Sequence, residues 1–221
     1  MTTGVLMYCF DTPDTQYHRM ANRSMALVQK NLGLPVTVVT DVSTLDNWTH
    51  KPNVDFVTIE AEKTNTKLGR PWYNVERHQS YDHSPYDVTM VLDADYFCLS
   101  DKLLKYTNTH YDFLVHKSSH DVSGVDGMNN QRASVIDMVW ATVLIFKKTP
   151  KVRAVFDTVE LIKKHYQHFC DLYRVTYRNF RNDFAFAIAL NQIYGFGDYG
   201  VIPDSIPAVL SHVDICSLTD R

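Results

Sequence analysis

The chain has 221 residues, of which 45% are hydrophobic, and its formal net charge at pH 7 is −3. This length supports one well-buried core but leaves little room for a second full domain, so we predict a single domain over 1–221. Basic and acidic residues are interspersed, which excludes a broad electrostatic surface for nucleic acid or anionic membrane but not a local basic groove. The 4 cysteines are too scattered for a disulfide framework or a zinc site.

The amino-terminal part of the sequence predicts alternating strands and helices. Residues 4–10 are a continuous apolar run typical of a buried strand. We expect Thr12 to cap a helix that begins at Pro13 and ends at Gly33, because proline suits the first helical position and glycine the C-terminal one. Further β-branched or apolar runs predict strands at 35–41, 54–60, 87–93, 112–116 and 139–146.

The carboxyl-terminal part predicts two more helices. Thr149 and Pro150 begin one that carries apolar residues at helical spacing as far as Phe169, and Asn182 caps another that ends near Gly195. Strands interleaved with helices imply an α/β/α sandwich around a mainly parallel central sheet. Ligands of such sheets bind beyond the carboxyl ends of the strands.

Nothing in the sequence indicates a membrane-bound protein. The amino terminus has no signal peptide. The longest apolar run, 135–146, is interrupted by Asp137 and is too short to span a bilayer. We therefore expect a soluble protein of the cytoplasm without a membrane span.

Two aspartates, Asp93 and Asp95, end the apolar run at 87–93 with one alanine between them. Unpaired carboxylates this close repel each other, and a divalent cation bound between them removes the repulsion. Oxygen ligands favour Mg²⁺ or Mn²⁺, whose coordination substrate phosphates commonly complete, so the pattern predicts a metal site for a nucleoside diphosphate group. Aspartate is abundant, so about two Asp-x-Asp matches are expected by chance, and a capped turn is the alternative.

The segment "TMVLDADYFCLSD" (89–101) resembles the Asp-x-Asp segment of nucleotide-sugar-dependent glycosyltransferases with the GT-A fold. The likeness extends over three other segments, 8–41, 70–87 and 180–190. Within the fold, the pattern is most similar to the glycogenin-like retaining branch. The small size is similar to that of compact transferases encoded by large bacteriophages, which would place the protein in the host cytoplasm.

The resemblance implies a nucleotide-sugar half over about 1–100 and an acceptor half over about 101–221. The two motif carboxylates match Asp93 and Asp95, one reaching the ribose or the metal and the other the metal and the diphosphate. His212 matches the late histidine that completes the metal shell in glycogenin-like enzymes, although the glycine and lysine that usually follow it are missing here. A structural or exposed histidine is the alternative.

The resemblance also places a group of residues at the ends of the first two strands against the base and ribose of the donor. The group consists of Tyr8, Phe10, Asp11, Thr40 and Asp41. The alternative is that these residues form an ordinary helix entry and strand terminus.

Two further pairs of residues match positions that the family uses. Arg70 and Arg77 would neutralise donor phosphates, with Arg77 the better match to the family's arginine before the motif; solvated surface arginines are the alternative. Asn182 and Asp183 match the carboxamide and carboxylate near the sugar in retaining relatives. Ordinary N-terminal helix residues are the alternative for this second pair.

The predicted function is metal-dependent transfer of a sugar from a nucleoside diphosphate sugar, most simply a UDP-sugar, to an unidentified hydroxyl. Retention is favoured because no carboxylate stands out as the general base that inversion requires. A sugar nucleotidyltransferase is an alternative, although it would normally carry a Gly-rich phosphate loop, which "CFDTPDTQ" lacks. A non-catalytic nucleotide-sugar-binding protein of the same fold is another.

The acceptor side is open. DNA with hydroxymethylated bases, a protein side chain, a lipid or a glycan each fits, and the oligomeric state is not predicted. A Gly-, Ser- and Asn-rich segment, 117–132, would border this side and could order over bound donor. Such long connections are usually functional or disordered, and plain disorder is the alternative.

Overall fold

The structure is a computed structural model that describes residues 1–48, 54–67, 69–116, 134–195 and 199–202. The strands are β1 (Thr3–Tyr8), β2 (Val36–Thr40), β3 (Asp55–Thr58), β4 (Thr66–Lys67), β5 (Arg70–Pro71), β6 (Val88–Asp93), β7 (Phe113–His116), β8 (Trp140–Lys147) and β9 (Gly200–Ile202). The helices are α1 (Tyr17–Leu32), α2 (Val42–Asp46), α3 (Ser80–His83), α4 (Pro150–Lys164), α5 (Tyr166–Tyr173) and α6 (Asn182–Tyr194), and short 3-10 helices span Glu76–Gln79 and Leu104–Tyr106.

Within the described residues, seven strands form one sheet in the order β3-β2-β1-β6-β8-β7-β9. Strand β1 lies parallel to β2 and β6, β2 is parallel to β3, and β7 is parallel to β9. Strand β8 runs antiparallel to both of its neighbours, β6 and β7. The predicted α/β class with a mainly parallel central sheet is confirmed. None of the helices in these ranges is long and apolar enough to cross a bilayer.

Apolar clusters cover both faces of the sheet. Helices α4 and α6 pack on one face, where Leu6, Val91 and Phe146 belong to the same cluster as Phe156 and Phe186. Helix α1 and the segment after β6 pack on the other face. Burial on both faces explains why the strands are almost uniformly apolar rather than alternating.

Helix α1 begins later than predicted. Thr12 and Thr15 instead form a turn with reciprocal backbone hydrogen bonds, Thr12 N to Thr15 O at 3.0 Å and Thr15 N to Thr12 O at 3.2 Å. The Asp11 carboxylate accepts a hydrogen bond from the backbone N–H of His18 at 2.9 Å, so Asp11 satisfies a donor of the first helical turn from outside the helix. The predicted end is confirmed, since Gly33 adopts the left-handed conformation with φ of 64°.

The carboxyl-terminal helices differ from prediction in two places. Thr149 caps α4 as expected, because its hydroxyl accepts from Val152 N at 3.3 Å. The predicted long helix is interrupted at His165, and α5 begins after it. Asn182 was predicted to cap α6 but is its first helical residue, and its side chain donates to a distant carbonyl instead.

Candidate functional site

The site forms where β1, β2 and β6 end. These strands are parallel, so their carboxyl ends meet at one edge of the sheet, and Tyr8 lies directly opposite Asp93 in the β1–β6 register. Thr40 ends β2 at the same edge, and its hydroxyl donates to Cys9 O at 2.7 Å, which ties the ends of β1 and β2 together. This is the edge at which open α/β sheets bind ligands.

Asp93 is held by two donors that converge on one of its oxygens. Oδ1 accepts a hydrogen bond from Asn74 Nδ2 at 2.8 Å and forms an ion pair with Arg77 Nη2. The Asp93 side chain remains 23% exposed, whereas Arg77 is only 2% exposed. A buried guanidinium therefore already neutralises this carboxylate.

Arg77 is the charge around which the site is arranged. Burial lowers the pKa of its guanidinium to about 10, and the nearby carboxylates of Asp183 and Asp95 oppose that shift. Arg77 therefore stays charged at neutral pH. Arg77 therefore responds electrostatically to carboxylates from the turn after β6 and from the start of α6.

Asp95 lies in the turn that follows β6, where Tyr96 N donates to Asp93 O at 3.0 Å. Burial, and after it the Asp95 carboxylate, raise the pKa of the Tyr17 hydroxyl to about 12. Burial also raises the pKa of the Cys9 thiol, with further contributions from Asp11, Asp41 and Asp95. The charge of Asp95 thus acts on groups of β1 and α1 as well as on Arg77.

The carboxylates of Asp93, Asp95 and Asp183 are the groups that would bind the predicted metal ion. In the described part of the chain, no group of three or more His, Cys, Asp or Glu side chains is close enough to hold an ion. A magnesium-like ion needs only one or two protein carboxylates when phosphates and water supply its other ligands. Asp93, Asp95 and Asp183 face two guanidinium groups, those of Arg77 and Arg181, which leaves an excess negative charge. Carboxylate oxygens are chemically suited to Mg²⁺ or Mn²⁺, and binding of either ion with a diphosphate stays a prediction.

Asp183 lies in the first turn of α6, but its carboxylate bonds across to the sheet. Oδ2 accepts from Arg181 Nη2 at 2.6 Å and Nε at 3.2 Å, and Oδ1 accepts from the backbone N–H of Ala141 in β8 at 3.0 Å. Asn182, 2% exposed, donates through Nδ2 to the carbonyl of Asn74 at 2.7 Å. The start of α6 is thereby fixed to both β8 and the Asn74 segment.

The residues predicted to contact base and ribose lie at the expected edge but are buried or bonded to other side chains of the protein. Tyr8 and Phe10 are buried in the core. Asp11 accepts from His18 Nδ1 at 2.6 Å and from Asn47 at 2.8 Å. Their contact with a donor stays a prediction.

Asp41 caps α2 through Thr44 N at 2.7 Å and pairs with Lys63 at 2.7 Å. Burial alone would raise the pKa of this carboxyl, but hydrogen bonds from Lys63, Thr44 and Ser43 outweigh burial and lower the pKa. The geometry thus gives Asp41 a structural role, and its place in a donor site stays a prediction.

Of the remaining predicted site residues, the structure describes only Arg70. Arg70 is exposed in the β4–β5 hairpin, which is anchored ahead of α6 because Asn65 donates to Phe180 O at 3.2 Å. His212 and the segment 117–132 lie outside the described residues. The structure therefore adds nothing to the predicted third metal ligand or to the predicted loop.

An open cavity of about 520 Å³ lies at the junction of α4 and α5. Phe180, which shortly precedes α6, forms part of its wall together with Lys163, His165 and Gln167. Neither Asp93 nor Asp183 lines it, so it is separate from the carboxylate site.

Known structures share the fold of this chain. The galactosyltransferase LgtC, solved with donor and acceptor sugar analogues, is 12% identical and matches with a TM-score of 0.55 over 90% of this chain and 72% of its own. The 4-diphosphocytidyl-2C-methyl-D-erythritol synthase of Anaerococcus prevotii is 9% identical, with a TM-score of 0.51 over 100% of this chain and 99% of its own. The α/β fold with a mainly parallel central sheet is therefore similar to the folds of these two enzymes.

These likenesses establish the fold alone, because the identities are low. The glycosyltransferase GlyE of Streptococcus pneumoniae is 13% identical, with a TM-score of 0.46; the match covers 91% of this chain but only 45% of GlyE. The chain thus spans about half the length of that protein. No protein-family model matches the chain, and no curated protein matches it in sequence.

Two residues of the site were not predicted from the sequence. Asn74 contacts Asp93, Arg77 and Asn182, yet a single asparagine in "PWYNVE" carries no signal of its own. Arg181 precedes Asp183 by two residues, a spacing at which an ion pair at a helix start could have been suspected.

Proposed function

We propose that this chain is a metal-dependent glycosyltransferase that moves a sugar from a nucleoside diphosphate sugar to an acceptor hydroxyl. The observation that supports it is the cluster at the carboxyl edge of the sheet, where the buried Arg77 pairs with Asp93 of β6 and where Asn182, next to Asp183 in α6, bonds to the Asn74 carbonyl. The site combines the turn that carries Asp93 and Asp95 with a further carboxylate, Asp183, at the start of α6. Such an arrangement suits binding a diphosphate on one side and a sugar on the other.

In this proposal, Asp93 and Asp95 hold Mn²⁺ or Mg²⁺, with His212 as a third ligand. When bound, the metal would stabilise negative charge on the leaving diphosphate. Arg77 fixes the position of the Asp93 carboxylate and offsets one of the negative charges of the site. Because Arg77 is 2% exposed, its geometry supports this holding role better than direct contact with donor phosphates.

We also propose that transfer proceeds with retention, as in glycogenin-like enzymes, and that the donor is a UDP-sugar. Arg181 and the Ala141 N–H already occupy both oxygens of Asp183. A carboxylate held in this way is poorly placed to take the acceptor proton as a general base, which inversion would require. In this proposal, Asp183 and Asn182 act by holding the start of α6 against β8 and the Asn74 segment, beside the proposed sugar site.

The proposal is tested by a screen of nucleoside diphosphates and nucleotide sugars by thermal shift, with and without Mn²⁺. A ligand at a hundred times its dissociation constant stabilises the folded chain by about 2.7 kcal/mol. We expect this stabilisation only with metal, and we expect the Asp93→Asn/Asp95→Asn variant, which keeps an oxygen for Arg77 to bond, to lose it while remaining folded. A double variant that bound nucleotide in Mn²⁺ as tightly as the parent would refute the metal site.

Product analysis separates the proposed activity from its competitors. A glycosyltransferase releases nucleoside diphosphate from its donor, so we expect release of nucleoside diphosphate, with transfer or slow hydrolysis. Pyrophosphate formed from a nucleoside triphosphate and a sugar phosphate would instead identify a nucleotidyltransferase. Donor binding with neither product would identify a binding protein.

A further inference from the structure

Asn74 joins three parts of the site. Its side chain donates from Nδ2 to Asp93 Oδ1 at 2.8 Å and accepts through Oδ1 from Arg77 Nε at 3.4 Å. Its backbone carbonyl accepts from Asn182 Nδ2 at 2.7 Å. The strand end of β6, the 3-10 helix and the start of α6 therefore all bond to one asparagine.

The contacts determine which oxygen of Asp93 remains available. Asn74 and Arg77 both donate to Oδ1, and within the described residues Oδ2 makes no hydrogen bond. Two donors on one oxygen fix the rotation of the carboxylate about its last torsion. Oδ2 is then the oxygen of a 23% exposed side chain that can meet a ligand.

We propose that Asn74 is a positioning residue that presents Oδ2 of Asp93 as a single-oxygen ligand for the metal ion. The inference rests on the proposed function, since it concerns the same metal site. Small divalent ions such as Mg²⁺ demand near-ideal octahedral geometry, which a carboxylate that is free to rotate meets poorly. Residues that orient ligating carboxylates typically contribute about 10- to 100-fold in metal affinity.

Asn74 is itself held in place, as a positioning residue must be. Its segment has no regular secondary structure, but Val75 N donates to Tyr73 O at 2.9 Å beside it. Asn182, which bonds to the Asn74 carbonyl, is 2% exposed. Replacing the Asn74 side chain leaves this backbone contact intact, so substitution removes the orientation of Asp93 without detaching α6.

The test measures Mn²⁺ affinity by electron paramagnetic resonance, which needs no identified sugar donor. We expect Asn74→Ala to weaken Mn²⁺ binding by about tenfold or more. Asn31→Ala is the matched control, because Asn31 is also half-buried and donates to a carbonyl, that of Cys98 at 2.6 Å, on the α1 side of the sheet. The control is expected to keep the parent affinity.

A second variant covers the case in which Asn74→Ala folds poorly. Asn74→Ser retains a short hydroxyl donor, and we expect its Mn²⁺ affinity to lie between those of the parent and the alanine variant. Equal affinity of parent and Asn74 variants, with Mn²⁺ bound by the parent, would overturn the positioning role and leave the proposed function standing. A parent that binds no Mn²⁺, alone or with UDP, would overturn both.

Discussion

Arg77 carries a positive charge at a position that solvent does not reach. Because Arg77 is only 2% exposed, its guanidinium loses its hydration when the chain folds. Nearby carboxylates compensate for this loss, and Asp93 is in direct contact. Removing one member of a buried pair is costly because the other is left without compensation. The stability of this edge of the sheet therefore depends on the same contact that orders the site.

We predict that Arg77→Leu lowers the free energy of unfolding by about 3 kcal/mol, at the low end for a broken buried pair because Asp93 keeps some solvent contact. Arg153→Leu is the control, since its pair with Asp82 at 2.6 Å has side chains 42% and 58% exposed. That variant should lose less than about 1 kcal/mol. Urea unfolding measures both losses in free energy of unfolding. Similar losses in the two variants would show that the buried Arg77 pair contributes no more to stability than the exposed Arg153 pair.

At the same scale, the sequence predicted part of the site. Asp93, Asp95, Arg77 and Asp183 were all singled out, and the structure pairs Arg77 with Asp93, whereas the roles of these residues in a site stay predictions. The expectation that the two motif carboxylates lack a partner was wrong for Asp93, because Arg77 is sixteen residues away in sequence and the pair forms only through the fold. Asn74 could not be predicted, since its role depends on contacts with Asp93 and Asn182, which are 19 and 108 residues away in the sequence.

At the scale of elements, the sequence predicted every long strand, because burial on both faces gives uninterrupted apolar runs. The start of α1 was misplaced because Thr12 and Pro13 have the residue types of a helix start, whereas Asp11 supplies the bond to the first turn. The sequence did not predict the break at His165, because the helical spacing of apolar residues continues across it. Tyr166 packs on Phe180 with ring centroids 5.2 Å apart, a tertiary contact that the break accommodates.

We predict that Gly4→Ala destabilises β1. A Cβ atom at this position would overlap the ring of Tyr86, which is 8% exposed and held by a 2.8 Å hydrogen bond between its hydroxyl and Thr37 Oγ1. Overpacking of this kind costs about 1–3 kcal/mol. Thermal or urea unfolding checks the loss, and the Gly4→Ala/Tyr86→Leu double variant should be more stable than the sum of the two single changes predicts. Strict additivity would mean that the ring is not the obstacle.

At the scale of the whole molecule, acid should weaken the fold through two histidines. Burial lowers the pKa of both His78 and His83 below the ordinary value of 6.5, with Lys163 adding to the effect at His78. Each ring is therefore held neutral in the folded chain and takes up a proton more readily when unfolded. Their contribution to stability is complete above pH 6.5 and is lost as the pH falls through the lowered folded values.

We predict that the free energy of unfolding declines in the mildly acidic window below about pH 6.5, and that the His78→Gln/His83→Gln variant shows a shallower decline. Urea unfolding at a series of pH values measures both curves. A parent curve that stays flat across this window, or a double variant with the same slope as the parent, would contradict the assignment.

The bond between Asn182 and the Asn74 carbonyl joins residues 108 positions apart in the chain. Synthesis at about 5–20 residues per second means that about 5–20 s pass between the two residues leaving the peptidyl transferase centre. During that interval the nascent chain already holds Arg77 and Asp93 but lacks the helix that completes their surroundings. A ribosome-bound chain that stops short of Asn182 therefore lacks the part of the site that α6 provides. The site is complete only after α6, the last long helix of the described chain, has been synthesised.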